Sequence, residues 1–182
     1  MKINNKFKIL IIRKVNYILI LVLTFSINLA AAQDKDSDTS KFSMGFALNE
    51  QFVGKDIGEN IEGFLGYSIN SNMSIYLSAA NATMRSKALD TNYELDKYAI
   101  QVTYDFLKSE NTKLESLFGF SYVNFDEKIL EDDNNGLGID LGIQTVFNLN
   151  NRLNYGLRVV STYSNFSPGG ILNAGIIFRY NI

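Results

Sequence analysis

The sequence predicts an all-β fold: an eight-stranded antiparallel up-and-down transmembrane β-barrel after an N-terminal signal peptide. Three observations carry this reading. Beyond residue 40 the chain alternates apolar with polar or small side chains in runs of about ten residues, the period of a strand. There are eight such runs, an even number and the smallest usual for a membrane barrel. The last run, residues 170–182, sets Leu172, Ala174, Ile176, Phe178, Tyr180 and Ile182 against Asn173, Gly175, Ile177, Arg179 and Asn181. It is long enough to cross a bilayer at the usual tilt.

The N-terminus reads as removable. Lys2, Lys6, Lys8, Arg13 and Lys14 precede a mostly apolar run over 15–29, and Ala30, Ala31 and Ala32 offer a small-residue cleavage site before Gln33. Residues 1–32 are therefore expected to be a signal peptide and 33–40 a flexible lead-in, leaving 41–182 as the barrel domain. The leader holds five of the 17 basic residues and none of the 19 acidic ones, so the remainder has 12 against 19, a formal charge of -7. An acidic chain without a basic patch is a poor candidate for nucleic acid.

Each run justifies its strand. The first places Phe42, Met44, Phe46 and Leu48 opposite Ser43, Gly45, Ala47 and Asn49; the second, 60–69, sets Ile61, Leu65, Tyr67 and Ile69 against Glu62, Phe64, Gly66 and Ser68. The third opposes Met73, Ile75, Leu77 and Ala79 to Ser74, Tyr76, Ser78 and Ala80. The fourth opposes Tyr98, Ile100, Val102, Tyr104 and Phe106 to Lys97, Ala99, Gln101, Thr103 and Asp105, with a start as early as Tyr93. In the fifth, 113–123, Leu114, Phe118, Phe120 and Tyr122 face away from Glu115, Leu117, Gly119 and Ser121. The sixth and seventh set Leu137, Ile139, Leu141, Ile143 and Phe147 against Gly138, Asp140, Gly142 and Gln144, then Leu153, Tyr155, Leu157 and Val159 against Asn154, Gly156, Arg158, Val160 and Thr162. Connections at 70–72, 107–112 and 148–152 read as short turns. Those at 53–59, 83–96, 124–136 and 164–169 read mostly as longer loops, the pattern of periplasmic turns and extracellular loops.

Alternation alone fits a soluble barrel with an apolar interior equally well. Two features favour lipid outside: the polar face is rich in small residues that a narrow lumen needs, and the apolar face has no charge at mid-strand, where Lys or Arg would cost about 2 to 4 kcal/mol. Aromatic residues also collect at the two ends of the apolar face, as rings do at headgroup layers. These features resemble the small outer-membrane β-barrels of Gram-negative bacteria, the OmpA transmembrane domain, OmpX and OmpW-like group. The resemblance covers 41–182 and implies location in the bacterial outer membrane, contact with outer-membrane lipid, assembly by the barrel-assembly machinery and a monomeric state. Ending on Ile182 departs from the aromatic terminus usual there, although Phe178 and Tyr180 lie close by.

The inward charges are Glu62, Lys97, Asp105, Glu115, Asp140, Arg158 and Arg179. Buried charges must pair, so an ionic network across the lumen is expected. A turn at 148–152 makes Asp140 and Arg158 diagonal partners, and Arg179 is the expected counter-charge for Asp105 and Glu115, which face each other. The chain has no histidine and no cysteine, excluding a Ser-His-acid triad and His or thiolate metal sites. Relatives by resemblance that act as lipid deacylases or acyltransferases rely on histidine. Glu131, Asp133, Asn135 and Gly136 echo the start of a calcium loop, but its bidentate Glu position falls on Gly142. No catalytic, cofactor or metal residue is therefore assigned. The reading is a non-enzymatic integral outer-membrane protein with an envelope-structural or surface-interaction role through extracellular loops whose partner the sequence does not name. The alternatives are a narrow channel for ions or small apolar molecules, and a soluble secreted ligand-binding barrel.

Overall fold

The computed structural model describes residues 41–87, 90–109, 111–125, 134–150, 152–164 and 170–182. The expected signal peptide and lead-in, and the acidic stretch 126–133, lie outside them. Eight strands form one closed barrel in sequence order: β1 (Phe42–Val53), β2 (Asp56–Ser68), β3 (Met73–Ser86), β4 (Thr91–Lys108), β5 (Thr112–Phe125), β6 (Asn135–Asn148), β7 (Leu153–Ser164) and β8 (Ile171–Asn181). All neighbours are antiparallel, and β8 closes on β1 from Ser43↔Asn181 to Val53↔Ile171. Closure leaves no free sheet edge, which a bilayer requires.

The pairing fixes the stagger. From Ser43 the ladder passes through Gly66, Tyr76, Gln101, Gly119, Asp140, Thr162 and Ile171 and returns to β1 at Val53. The start and finish lie ten residues apart along one strand, which tilts the strands by roughly 35–45°. Every residue on this path is inward-facing, so each turn of the ladder stacks one layer of lumen on the next. At the seam the backbones crowd: a Cβ on Gly45 would lie 2.0 Å from the Phe178 carbonyl oxygen, and one on Gly175 2.0 Å from that of Leu48. No side chain fits at either position. Gly63, by contrast, faces open space on the outside.

The outer surface is apolar over most of its height. Leu48, Ile61, Leu77, Ile100, Phe118, Phe120, Leu141 and Leu157 are all exposed. A continuous belt of this kind is untenable in water and fits hydrocarbon. Phe42 and Tyr67, 5.1 Å between centroids, and Phe147 and Tyr155, 5.4 Å apart, mark its lower edge at the end where β1 begins and β8 finishes.

At the opposite end the strands outlast the predicted runs. Instead of a loop over 53–59, β1 and β2 are joined by the two-residue turn Gly54–Lys55, with Val53 paired to Asp56 and Gly54 at φ 60°, as a hairpin of this length favours. Instead of a loop over 83–96, β3 and β4 pair as far as Ser86↔Thr91, and Asp90 takes the left-handed conformation at φ 47°. The reason is that the polarity of the two faces inverts. Here Glu50, Glu59, Thr83 and Arg85 point outward, while Val53, Ala82, Met84, Tyr93, Leu95, Val123, Phe125 and Ile171 form an apolar cluster inside. Outward charges at this level fit the headgroup region or water better than hydrocarbon, with Ile57 the outward apolar exception. A second departure lies in β4, where the register shifts between Asp105 and Leu107 and leaves Phe106 and Leu107 both exposed, a bulge in place of strict alternation.

Candidate functional site

Among the described residues, buried ionisable side chains concentrate in the lumen. All seven ionisable residues singled out above sit on inward positions, and the structure sorts them into two layers. In the layer nearer the far end, Lys97 Nζ lies 2.9 Å from Asp140 Oδ1, and Asp140 is fully buried. Its carboxylate also accepts from Ser121 Oγ at 2.9 Å, Thr162 Oγ1 at 2.7 Å and Gln101 Nε2 at 2.8 Å. Thr162 in turn accepts from Lys97 at 2.7 Å. Gln101 then turns its other end to Arg158, whose Nη2 donates to Oε1 at 2.7 Å, while Arg158 Nη1 reaches Glu62 at 3.3 Å. Strands β2, β4, β5, β6 and β7 are thus tied across the barrel by two cations and two carboxylates of balanced charge.

In the layer nearer the start of β1, Arg179 on β8 makes a two-pronged pair with Glu115 on β5, at 3.0 and 2.9 Å. The fork geometry of guanidinium and carboxylate makes this the stronger kind of ion pair. Gln144 also donates to Glu115, and the Arg179 guanidinium lies 5.1 Å from the centre of the Tyr76 ring. Asp105 stands opposite Glu115 in the ladder and takes its own cation, Lys113, at 3.1 Å. Between the two layers Phe64, Tyr76, Leu117 and Ile177 form an apolar septum, with Phe64 and Tyr76 edge to face.

Two expected pairings differ. Asp140 and Arg158 do not meet directly: Asp140 lies opposite Thr162, and Arg158 opposite Gln144. The β6–β7 turn is centred one residue later than a 148–152 turn, because Asn150 Oδ1 accepts from the backbone N–H groups of Arg152 and Leu153 and the ladder ends at Asn148↔Asn154. That displaces every partner by two. Likewise Arg179 serves Glu115, whereas Asp105 takes Lys113, a residue the sequence reading passed over. Gln101 and Gln144 were also missed as linkers. Their signal was available, since each is a long amide at mid-strand on the inward face.

Among the described residues, no group of three or more acidic, histidine or cysteine side chains could hold a metal ion. An interior cavity of about 10 Å³ is lined by Phe64, Tyr76, Gln101, Thr103, Leu117, Gln144, Arg158 and Ile177. Eight strands leave an interior that side chains fill, and here they do.

A model of the outer membrane protein beta-barrel domain matches residues 17–177. The chain belongs to that family. Its location is therefore the bacterial outer membrane, and the apolar belt is the surface that meets lipid. Comparison with curated protein sequences gives no match. Among solved structures, the fold is similar to the N-terminal β-barrel domain of Pseudomonas aeruginosa OprF, with a TM-score of 0.54, 12% identity, and coverage of 79% of this chain and 98% of that one. It is also similar to Neisserial surface protein A, with a TM-score of 0.58, 12% identity, and coverage of 78% and 96%. The outer membrane enzyme PagL is similar too, with a TM-score of 0.51, 15% identity, and coverage of 77% and 99%. At these identities the likeness concerns the fold alone, and that fold houses an enzyme as well as other barrels.

Proposed function

We propose that this protein is a sealed, non-enzymatic barrel that serves the outer membrane as an envelope component and acts on its surroundings through the far end. The observation that carries this reading is the filled lumen: two charge-balanced layers, an apolar septum between them and an apolar cap above them. A channel for ions or small apolar molecules would need all of these to part. Catalysis is disfavoured for a related reason. The sequence supplies no histidine or cysteine, and the lumenal carboxylates are committed to cations in a space closed to substrate.

In this reading the termini lie in the periplasm and the far end faces outward. The β1–β2 and β3–β4 hairpins, with Glu50, Glu59, Glu94 and Asp96 on the outside of their strands, then form the external surface. Export through residues 1–32, assembly by the barrel machinery and a monomeric state belong to the same proposal; the closed sheet excludes association by edge pairing. A deletion strain provides the test. Complementation with Gln101→Leu, altered only inside and compared at an outer-membrane level matched to the wild type, should restore detergent resistance and surface adhesion. A combined Glu50→Gln, Glu59→Gln, Glu94→Gln and Asp96→Asn variant should fail in at least one. The opposite outcome would place the function in the lumen.

A further inference from the structure

We propose that a single water molecule, bound between Gln144 and Arg158, joins the two ionic layers into one hydrogen-bonded chain through the septum. The two residues are direct ladder partners on β6 and β7, and both side chains are at least nine-tenths buried. Each leaves one polar atom without a protein partner: Gln144 Oε1, an acceptor, and Arg158 Nε, a donor. Both residues line the same cavity of about 10 Å³, which is at the lower edge of the roughly 10–15 Å³ that one water needs. An orphaned buried polar atom is destabilising, so two of opposite sense on residues that line one cavity call for a small ligand that satisfies both.

The donor set identifies the ligand. An anion would meet the carbonyl oxygen of Gln144, and a cation would meet the guanidinium of Arg158. A neutral molecule able to donate and accept at once fits both, and only water is small enough. Thr103, also at the cavity wall, carries a hydroxyl that can serve as a further partner.

The position gives this water a role beyond filling space. Gln144 already donates to Glu115, which holds Arg179. Arg158 already donates to Gln101, which holds Asp140 and through it Lys97. The chain then runs Lys97–Asp140–Gln101–Arg158–water–Gln144–Glu115–Arg179, crossing the level of Phe64, Tyr76, Leu117 and Ile177. Without the water no side-chain hydrogen bond among the described residues links the two layers.

The test is water-to-protein cross-relaxation by NMR on the full chain folded in micelles, with 15N-labelled arginine. Arg158 Nε–H should give a cross-peak to a long-resident water, and Gln144→Leu should abolish it in protein that remains heat-modifiable, running at a different gel position before and after boiling as a folded barrel does. Thr103→Leu, which fills the cavity and leaves both polar partners in place, should abolish it as well and serves where Gln144→Leu fails to fold. Absence of the cross-peak in the wild type, or its survival in a folded Thr103→Leu variant, would overturn the proposal.

Discussion

Gln101 shows how much one amide can decide. Its Nε2 donates to Asp140 and its Oε1 accepts from Arg158, so reversing the amide would set the carbonyl against the carboxylate and the NH₂ against the guanidinium. The surroundings therefore fix both its orientation and its identity. Gln101→Leu leaves Asp140 and Arg158 each one partner short. It should lower unfolding stability by about 1–3 kcal/mol for each group left unsatisfied, measured by urea titration of the folded barrel in detergent. At this scale the sequence was legible in one respect only. Period-two alternation put Glu62, Lys97, Glu115, Asp140, Arg158 and Arg179 on the inner face, because parity survives any even change of register. Partners do not survive it: moving the β6–β7 turn centre by one residue replaced position 160 with Thr162 opposite Asp140.

The strands themselves divide into two environments, and the boundary was hidden for a physical reason. Apolar-out alternation identifies a strand only while lipid surrounds it. Above that level the same strand must turn polar side chains outward, as β2 does from Ile61 to Glu59 and β3 from Ala79 to Asn81 and Thr83. Read with the lipid rule, these extensions look like loops. The boundary can be measured by depth. Ile100→Arg, at mid-belt on β4, should destabilise by about 2–4 kcal/mol, whereas Thr83→Arg, beyond the belt on β3, should stay within about 0.5 kcal/mol. Equal costs would show that the bilayer covers both.

The far-end cap also has its own pH response. Burial first, and then the nearby Asp56 carboxylate, hold the Tyr93 phenol well above its ordinary value of 10.0, and its hydroxyl donates to Asp56 Oδ2 at 3.2 Å. Because the folded value is the higher one, this contribution to stability is intact below about pH 10 and is lost as the pH rises toward the folded value. Alkaline titration should therefore loosen the far end more in the wild type than in Tyr93→Phe, followed by amide exchange of Met84 and Leu95.

For the molecule as a whole, architecture was the most legible feature and the interior the least. Eight runs, their apolar faces and the terminal aromatic strand specify a lipid-embedded barrel, since few other solutions satisfy every backbone group in a membrane. The filling of the lumen depends on a stagger of ten and on side chains reaching across from non-neighbouring strands, such as Arg179 to Glu115 and Lys97 to Asp140. No local pattern encodes those meetings. They nevertheless determine whether the barrel is a wall or a passage. Planar-bilayer recording of the purified, heat-modifiable protein decides between the two. A sealed barrel gives no reproducible unitary conductance at neutral pH and moderate voltage, whereas discrete steps that change on Arg158→Ala would contradict the account.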